Sequence, residues 1–460
     1  MITLTFHGGA RTVTGSKHLL QCGGESLLVD CGMFQGLKEL RVKNWEPTPF
    51  SAAGLNGVVL THCHIDHCGV LPRLVRLGFA KSVFCTPPTA EILPIVLADT
   101  AKLQMEDAAY FNKTGLTRHA PALPLFDQGD VQATVKQLSP VDYGRPFKVG
   151  RRFTVRFLDA GHILGSAMAE VTVDDDGRSV KVLFSGDLGR FDAPMTPDPD
   201  PPPQCDYLVI ESTYGNRLHT NASPHDELAE TVRSVVEKRG VLLIPAFAVG
   251  RSQQILFILK ELQNAGRIPS LPIHLDSPMA FDTTAIYLRY LSGRQVRMDL
   301  LKGGGSIAGP NVQLHKSQRD SGRLSKLKGP AILIASSGMM SGGRVLSHAQ
   351  NLLPLSSTVV AFSGFQAEGT RGRRLVDGER TVRIRGAEVQ VRAEVVDLAG
   401  FSGHADFQEL LSWTAGIKEP LKTAFVVHGE SSAAEEFGQK LRSQRGWQVV
   451  VPSMHQSVEL

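Results

Sequence analysis

The run Thr61-His62-Cys63-His64-Ile65-Asp66-His67-Cys68-Gly69 puts three imidazoles and a carboxylate within six residues, in a chain with 15 His among 460 positions. Imidazole nitrogens and carboxylate oxygens suit a borderline-soft divalent cation, and the alternation of His62 and His64 lets both face one ion. Asp66 and His67 lie one step further round the turn, placed for a second ion. Two cations roughly 3.5–4 Å apart clamp the attacking and leaving oxygens of a phosphoryl displacement, so the pattern points to metal-assisted hydrolysis. A chance polar loop is a poor account of so dense a cluster. A structural zinc centre is the stronger rival, but such centres are usually closed and Cys-rich. Cys63 and Cys68 lack CxxC spacing and read as small packing residues.

These residues need elements to hold them. Gly57-Val58-Val59-Leu60 is an apolar, β-branched run and Val70 to Leu77 reads as helix, so a strand delivers the cluster to a helix start. Residues 2–6, 17–22 and 26–30 read as strands, the third ending at Asp30 beside Gly32. An acid there either caps a turn or orients an imidazole from behind. A long helix spans about Thr89 to Asn112. Strands at 153–158, 168–173 and 180–185 lead to Asp159-Ala160-Gly161-His162 and Ser185-Gly186-Asp187-Leu188-Gly189. His162 and Asp187 thus share the strand-end placement of the first cluster, with Gly neighbours that leave room for an ion.

After the Pro-rich connector Asp192 to Gln204, the strand Asp206 to Glu211 ends in an acid. From 213 the pattern changes to alternating helices and strands: helices 224–238, 250–264, 278–291 and 343–352, and strands 241–245, 271–275, 330–336 and 358–362. Three Gly-rich turns in this layer carry Arg: Ala248 to Gln253, Ser336 to Arg344 and Gly364 to Arg373. A turn that opens a helix presents free backbone N–H groups to a phosphate, and Arg251, Arg344, Arg371 and Arg373 could add bidentate contacts. Ser337 and Gly338 join the candidate phosphate set. Residues 381–398 alternate as a hairpin and read as a return to the style of the first domain. Gly400-Phe401-Ser402-Gly403-His404-Ala405-Asp406 then opens a helix, and His428 follows the strand Thr423 to Val427. If the outer segments form one domain, His404 and His428 reach the early cluster and the middle layer roofs the site.

Composition sets few limits. A chain of this length exceeds a single core, so more than one domain is expected. A net charge of +4 permits a polyanionic substrate without requiring one. The six Cys form no disulfide framework, which suits a reducing, cytoplasmic setting. No apolar run reaches membrane length and the N-terminus does not read as a signal peptide.

With these residues assembled, the chain resembles metallo-β-lactamase fold hydrolases of the β-CASP branch, the family of the endonuclease subunit that cleaves pre-mRNA 3′ ends and of bacterial RNA-processing nucleases. The likeness runs nearly end to end through Asp30, His62-x-His64-x-Asp66-His67, His162, Asp187, Glu211, His404 and His428. It implies an αββα sandwich with an inserted α/β domain: residues 1–212 and 385–460 forming the sandwich, and 213–384 the insertion. It implies two zinc ions, one on His62, His64 and His162, the other on Asp66, His67 and His428, bridged by Asp187. Asp66 also counts among the catalytic residues, with Asp30 supporting the ligands from behind. A bridging hydroxide is the implied nucleophile, His404 the general acid, and Glu211 the group that keeps it oriented and basic.

A His at the position of His428 resembles the RNA-processing members. The expected activity is therefore endonucleolytic cleavage of single-stranded RNA, with 5′ to 3′ exonuclease activity possible alongside it. The accessory nucleic-acid-binding modules of some relatives have no counterpart here, so recognition of backbone rather than base sequence is expected. The rivals are a small-ester or lactam hydrolase on the same fold, and an RNA-binding scaffold with a structural metal. A cytoplasmic location and a homodimer complete the expectations.

Overall fold

Apolar and alternating segments from both ends of the chain pair into two seven-stranded sheets in the computed structural model, which describes all residues except 116, 118, 220–221, 291–308, 310 and 419–420. In the first sheet the order is Ser457–Glu459, Ile2–Gly8, Lys17–Cys22, Glu25–Val29, Gly57–Val59, Val83–Cys85 and Leu138–Pro140. The N-terminal strands pair antiparallel and the last four run parallel. Parallel strands are covered on both faces, which is why Gly57-Val58-Val59 is apolar throughout instead of alternating.

The second sheet runs Val449–Val450, Thr423–Val426, Tyr207–Ile210, Arg178–Phe184, Ala167–Asp175, Phe153–Asp159 and Phe147–Val149. Phe6, Leu20 and Val29 of the first sheet share one buried core with Val155, Val171 and Val182 of the second. On the other face of the second sheet, Leu183, Leu208 and Ile210 bury Leu410 and Leu411 of helix Phe407–Thr414 and Phe437 and Leu441 of helix Ser431–Arg445. Thr423–Val426 pairs in parallel with Tyr207–Ile210, so the residue after each strand emerges at the same sheet end. That pairing carries His428 to Glu211.

Residues 1–35, 39–218 and 404–460 form this first unit, and 36–38 with 219–403 form a second. The second holds a six-stranded parallel sheet: Val312–Leu314, Ile273–Asp276, Ala331–Ala335, Val241–Pro245, Val359–Phe362 and Glu394–Asp397. The expected boundaries at 213 and 385 therefore shift. The return to the first unit falls at His404, because Glu394–Asp397 pairs with Val359–Phe362 and the hairpin Thr381–Ile384/Ala387–Gln390 buries Val382, Ile384 and Val389 in the second core. Alternation in 381–398 identified strands but not the sheet they join.

Most expected elements form within a residue or two. The long helix is Pro87–Thr114, with the Thr86 side chain accepting from Thr89 N. The cluster sits between Gly57–Val59 and the short helix Ile65–Cys68. The helix expected over 278–291 is Pro278–Tyr290, its final position lying outside the described residues. Among the described residues no helix is long and apolar enough to cross a membrane.

Candidate active site

The ends of several strands of the first unit bring together every ligand candidate. His62 Nε2 lies 3.0 Å from His64 Nδ1, which lies 3.2 Å from His162 Nε2. Asp187 Oδ2 is 3.5 Å from His62 Nε2 and 3.7 Å from His162 Nε2. Its other oxygen, Oδ1, is 3.2 Å from His67 Nε2. His67 Nε2 and His428 Nε2 are 3.2 Å apart, and His428 Nε2 is 3.5 Å from Asp66 Oδ2. The residues thus gather as His62, His64, His162 and Asp187 on one side and Asp66, His67 and His428 on the other.

A divalent metal fits this set on two counts. Tetrahedral ligands about 2.0–2.1 Å from zinc stand about 3.3 Å from one another, which is the scale of the separations seen here. The donors also meet lone pair to lone pair. Three imidazole nitrogens converge with few protons to share, and the buried Asp187 Oδ1 accepts no hydrogen bond. Such a constellation is costly in a buried site without a cation. Burial drives His62 well below 6.5 and His64 down to about 4, the neutral form in which imidazole binds metal.

The far side of each ring is held as metal ligands require. Asp30 Oδ2 contacts His67 Nδ1 at 2.7 Å, while its Oδ1 accepts from Thr61 N at 2.8 Å. Thr61 Oγ1 reaches His62 Nδ1 at 3.1 Å, and Thr213 Oγ1 reaches His428 Nδ1 at 3.1 Å. Neither threonine was singled out in the sequence. Their only signal is adjacency, Thr61 preceding His62 and Thr213 lying two residues beyond Glu211. Close backbone approach matters too. A Cβ on Gly32 would lie 1.6 Å from Asp66 O, so only glycine lets that segment run against the ligand loop.

His404 stands beside the ligands. Its Nδ1 is 3.1 Å from Glu211 Oε1 and 4.0 Å from Asp187 Oδ2. Glu211 is fully buried and is fixed by Leu188 N at 2.7 Å and Thr213 N at 3.2 Å. Burial pushes the His404 imidazolium down, but the charges of Glu211 and Asp187 outweigh it and raise its pKa from 6.5 to about 9.

The candidate phosphate residues all belong to the second unit, where the three Gly-rich turns converge. They follow Val241–Pro245, Ala331–Ala335 and Val359–Phe362, at the carboxyl ends of the parallel strands where open α/β sheets take ligands. A Cβ on Gly338 would lie 2.8 Å from the Phe247 ring, Gly364 lies 4.0 Å from Arg251 Nε on the same measure, and Gln366 Nε2 donates to Gly338 O at 3.2 Å. Ser337 Oγ accepts from Ser341 N at 3.0 Å. The arginines are used differently from one another. Arg344 Nη1 pairs with the buried Asp276 at 2.7 Å and donates to His315 O at 2.8 Å, because a buried carboxylate needs a counter-charge. Arg371 donates to Arg383 O at 2.8 Å and Met340 O at 3.2 Å, and Arg373 pairs with Asp377 at 2.9 Å. Arg251 contacts Gln254 and lies 6.0 Å from the Phe401 ring centroid.

Three family descriptions match successive parts of the chain: the metallo-beta-lactamase superfamily over residues 18–244, the Beta-Casp domain over 252–375, and the Zn-dependent metallo-hydrolase RNA specificity domain over 388–452. The fold is shared with the crystal structure of a protein of unknown function from Enterococcus faecalis V583, at a TM-score of 0.53 and 13% identity over 100% of both chains. The chain belongs to the β-CASP branch of the metallo-β-lactamase superfamily. Within that branch it is 38% identical to ribonuclease TTHA0252 of Thermus thermophilus, covering 96% of each chain. It is 29% identical to transcription termination factor FttA of Methanocaldococcus jannaschii, over 98% of this chain and 70% of that one, and 29% identical to an RNase J-like protein of the same organism, over 94% and 93%.

Proposed function

We propose that this protein is a metal-dependent ribonuclease that hydrolyses phosphodiester bonds in single-stranded RNA, using two zinc ions. The observation that carries the reading is a seven-residue His/Asp set with the His404–Glu211 pair, also within ligand distance of Asp187, at its edge. His62, His64 and His162 would hold one ion and Asp66, His67 and His428 the other, with Asp187 shared between them. Bound metal supplies Lewis acidity toward the phosphodiester and lowers the pKa of water to near 7.

The chain's own residues do the rest. Asp30, Thr61 and Thr213 fix the rings so that the ligand nitrogens point inward. Glu211 engages His404 at Nδ1, so the proton for the leaving oxygen departs from Nε2. The Glu211 carboxylate at 3.1 Å favours the protonated form of His404. The convergent Gly-rich turns around Ser337, Gly338 and Arg251 offer backbone N–H groups and a cation to an RNA phosphate. The similarity to ribonuclease TTHA0252 over nearly the whole chain supports RNA as substrate.

The test is cleavage of end-labelled single-stranded RNA by the zinc-loaded protein, with a thioester and a chromogenic lactam in parallel. Metal-dependent cleavage of RNA alone is expected. Turnover of the lactam or thioester with intact RNA would overturn the reading.

A further inference from the structure

A separate cavity of about 60 Å³ in the first unit has Phe34, Phe50, Leu74 and Met454 among its walls and Lys17 and Arg73 among its lining residues. At about 10–15 Å³ of such space per water it has room for roughly four to six, the bulk of one small ring or a short chain. Its walls are already built. The Asn44 side chain exchanges two hydrogen bonds of 2.8 Å with the backbone N and O of Phe34. The Arg73 guanidinium donates to the carbonyls of Asn44, Trp45 and Glu46, which ties down the segment that closes the cavity.

Lys17 is the unusual member. Its Nζ donates to Gly15 O at 3.1 Å and lies 4.5 Å from the Phe34 ring centroid. Arg73 is a second cation near it, Cys31 is a buried thiol pushed up to about 12 and so neutral at pH 7, and no carboxylate among the described residues pairs with it. Burial depresses its pKa to about 8, so it is still a cation at neutral pH. The half-buried ammonium faces apolar walls with a second cation nearby, and Glu46, the one carboxylate residue in the lining, makes no ion pair with it. Three Arg73 hydrogen bonds go to carbonyls, and hydrophobic side chains make up most of the remaining surface. That lining suits an ion with one charged end and an apolar body, not a fully hydrated inorganic anion.

We propose that this cavity is a binding site for a small organic carboxylate, its carboxylate on Lys17 and its compact apolar body against Phe34, Phe50, Leu74 and Met454. The site stands independently of the ribonuclease reading. It also adjoins the ligand loop, because Ser16, next to Lys17, donates to Asp66 O at 2.9 Å, and Cys31 donates to His67 O at 2.7 Å.

The experiment titrates benzoate, the neutral isostere benzamide and inorganic phosphate into the full-length protein, followed by calorimetry and ligand-observed NMR. Saturable 1:1 binding of benzoate is expected, with benzamide and phosphate weaker by roughly tenfold or more. Lys17→Met should lose the preference for benzoate over benzamide. Met454→Trp, which keeps the ammonium and adds bulk to a lining residue, should lose binding of both. No saturation by tens of millimolar benzoate in the parent protein would overturn the site. Equal affinity for benzamide, tighter phosphate than benzoate, or an unchanged preference in folded Lys17→Met would overturn the assignment of the carboxylate to Lys17.

Discussion

His404 and Glu211 carry the sharpest predictions at the level of single residues, since the two His/Asp groups around Asp187 are complete without them. Removing His404 as His404→Ala should lower the rate of RNA cleavage about 10²–10⁴-fold and leave zinc content unchanged by elemental analysis. Undiminished cleavage by pure variant would remove His404 from the mechanism. Glu211→Gln tests the charge separately from the hydrogen bond. The raised pKa of His404 depends on the carboxylates facing it, Glu211 first among them. Neutralising Glu211 lets that pKa fall, so the protonated imidazole is lost at lower pH and the alkaline limb of the pH–rate profile moves down. A fixed alkaline limb would show that His404 is not the titrating acid. The candidate set was legible because three His and an Asp crowd into residues 62–67 and the other candidates share their strand-end placement beside Gly. Thr61 and Thr213 were not, because a hydroxyl that orients an imidazole looks in sequence like any turn or capping residue.

Elements decide how accurately these side chains are held. Asp406 caps helix Phe407–Thr414, accepting from Gln408 N and Glu409 N at 2.9 Å each, while Glu409 accepts from Asp406 N at 2.9 Å. Asp406→Ala should cost about 0.5–2 kcal/mol in chemical denaturation, and because His404 lies two residues upstream, kcat should fall more than KM rises. A stability loss with unchanged kcat would separate the cap from the site. In the second unit, the buried Asp276 joins Arg344 at 2.7 Å, His348 at 2.6 Å and Ser321 at 2.5 Å. Burial pushes its carboxyl up, but hydrogen bonds from His348, Ser321 and Arg344 win and hold it below 3.8. A depressed folded pKa gives stability that is complete above the unfolded value and lost as pH falls through the folded one, so this unit should weaken below about pH 4. Asp276→Asn should destabilise by roughly 1–3 kcal/mol, since it removes the charged acceptor of three hydrogen bonds. A melting profile of that variant with the parent's acid sensitivity would exclude Asp276 as its source. Arg344 read in sequence as a phosphate contact because an exposed and a paired arginine share one spelling. Only its partner, 68 positions away, distinguishes them.

Across the whole molecule the metal should matter for stability as well as for activity. The converging ligands are buried and have poor partners in one another, so the cation that binds them favours the folded state by mass action. Stripping with a chelator should abolish RNA cleavage and lower Tm, and added zinc should restore both. An unchanged melting curve after verified removal of metal would argue against the cluster as its seat. The sequence by itself determined the strand-end placement of the His and Asp candidates and nearly every element, because hydrophobic period and the chemistry of His, Asp and Gly are local properties. It also determined the family, since the spacing of so many separated motifs is specific. What only the tertiary structure decided was which distant segments become neighbours. Thr213 meets His428 only when Thr423–Val426 takes its place beside Tyr207–Ile210, His404 reaches Glu211 where Ala405 N donates to Leu188 O, and residues 385–403 join the second unit because Glu394–Asp397 finds a parallel partner there. Such pairings are set by competition among all available sheet edges and cores, a global property that no short stretch of residues encodes.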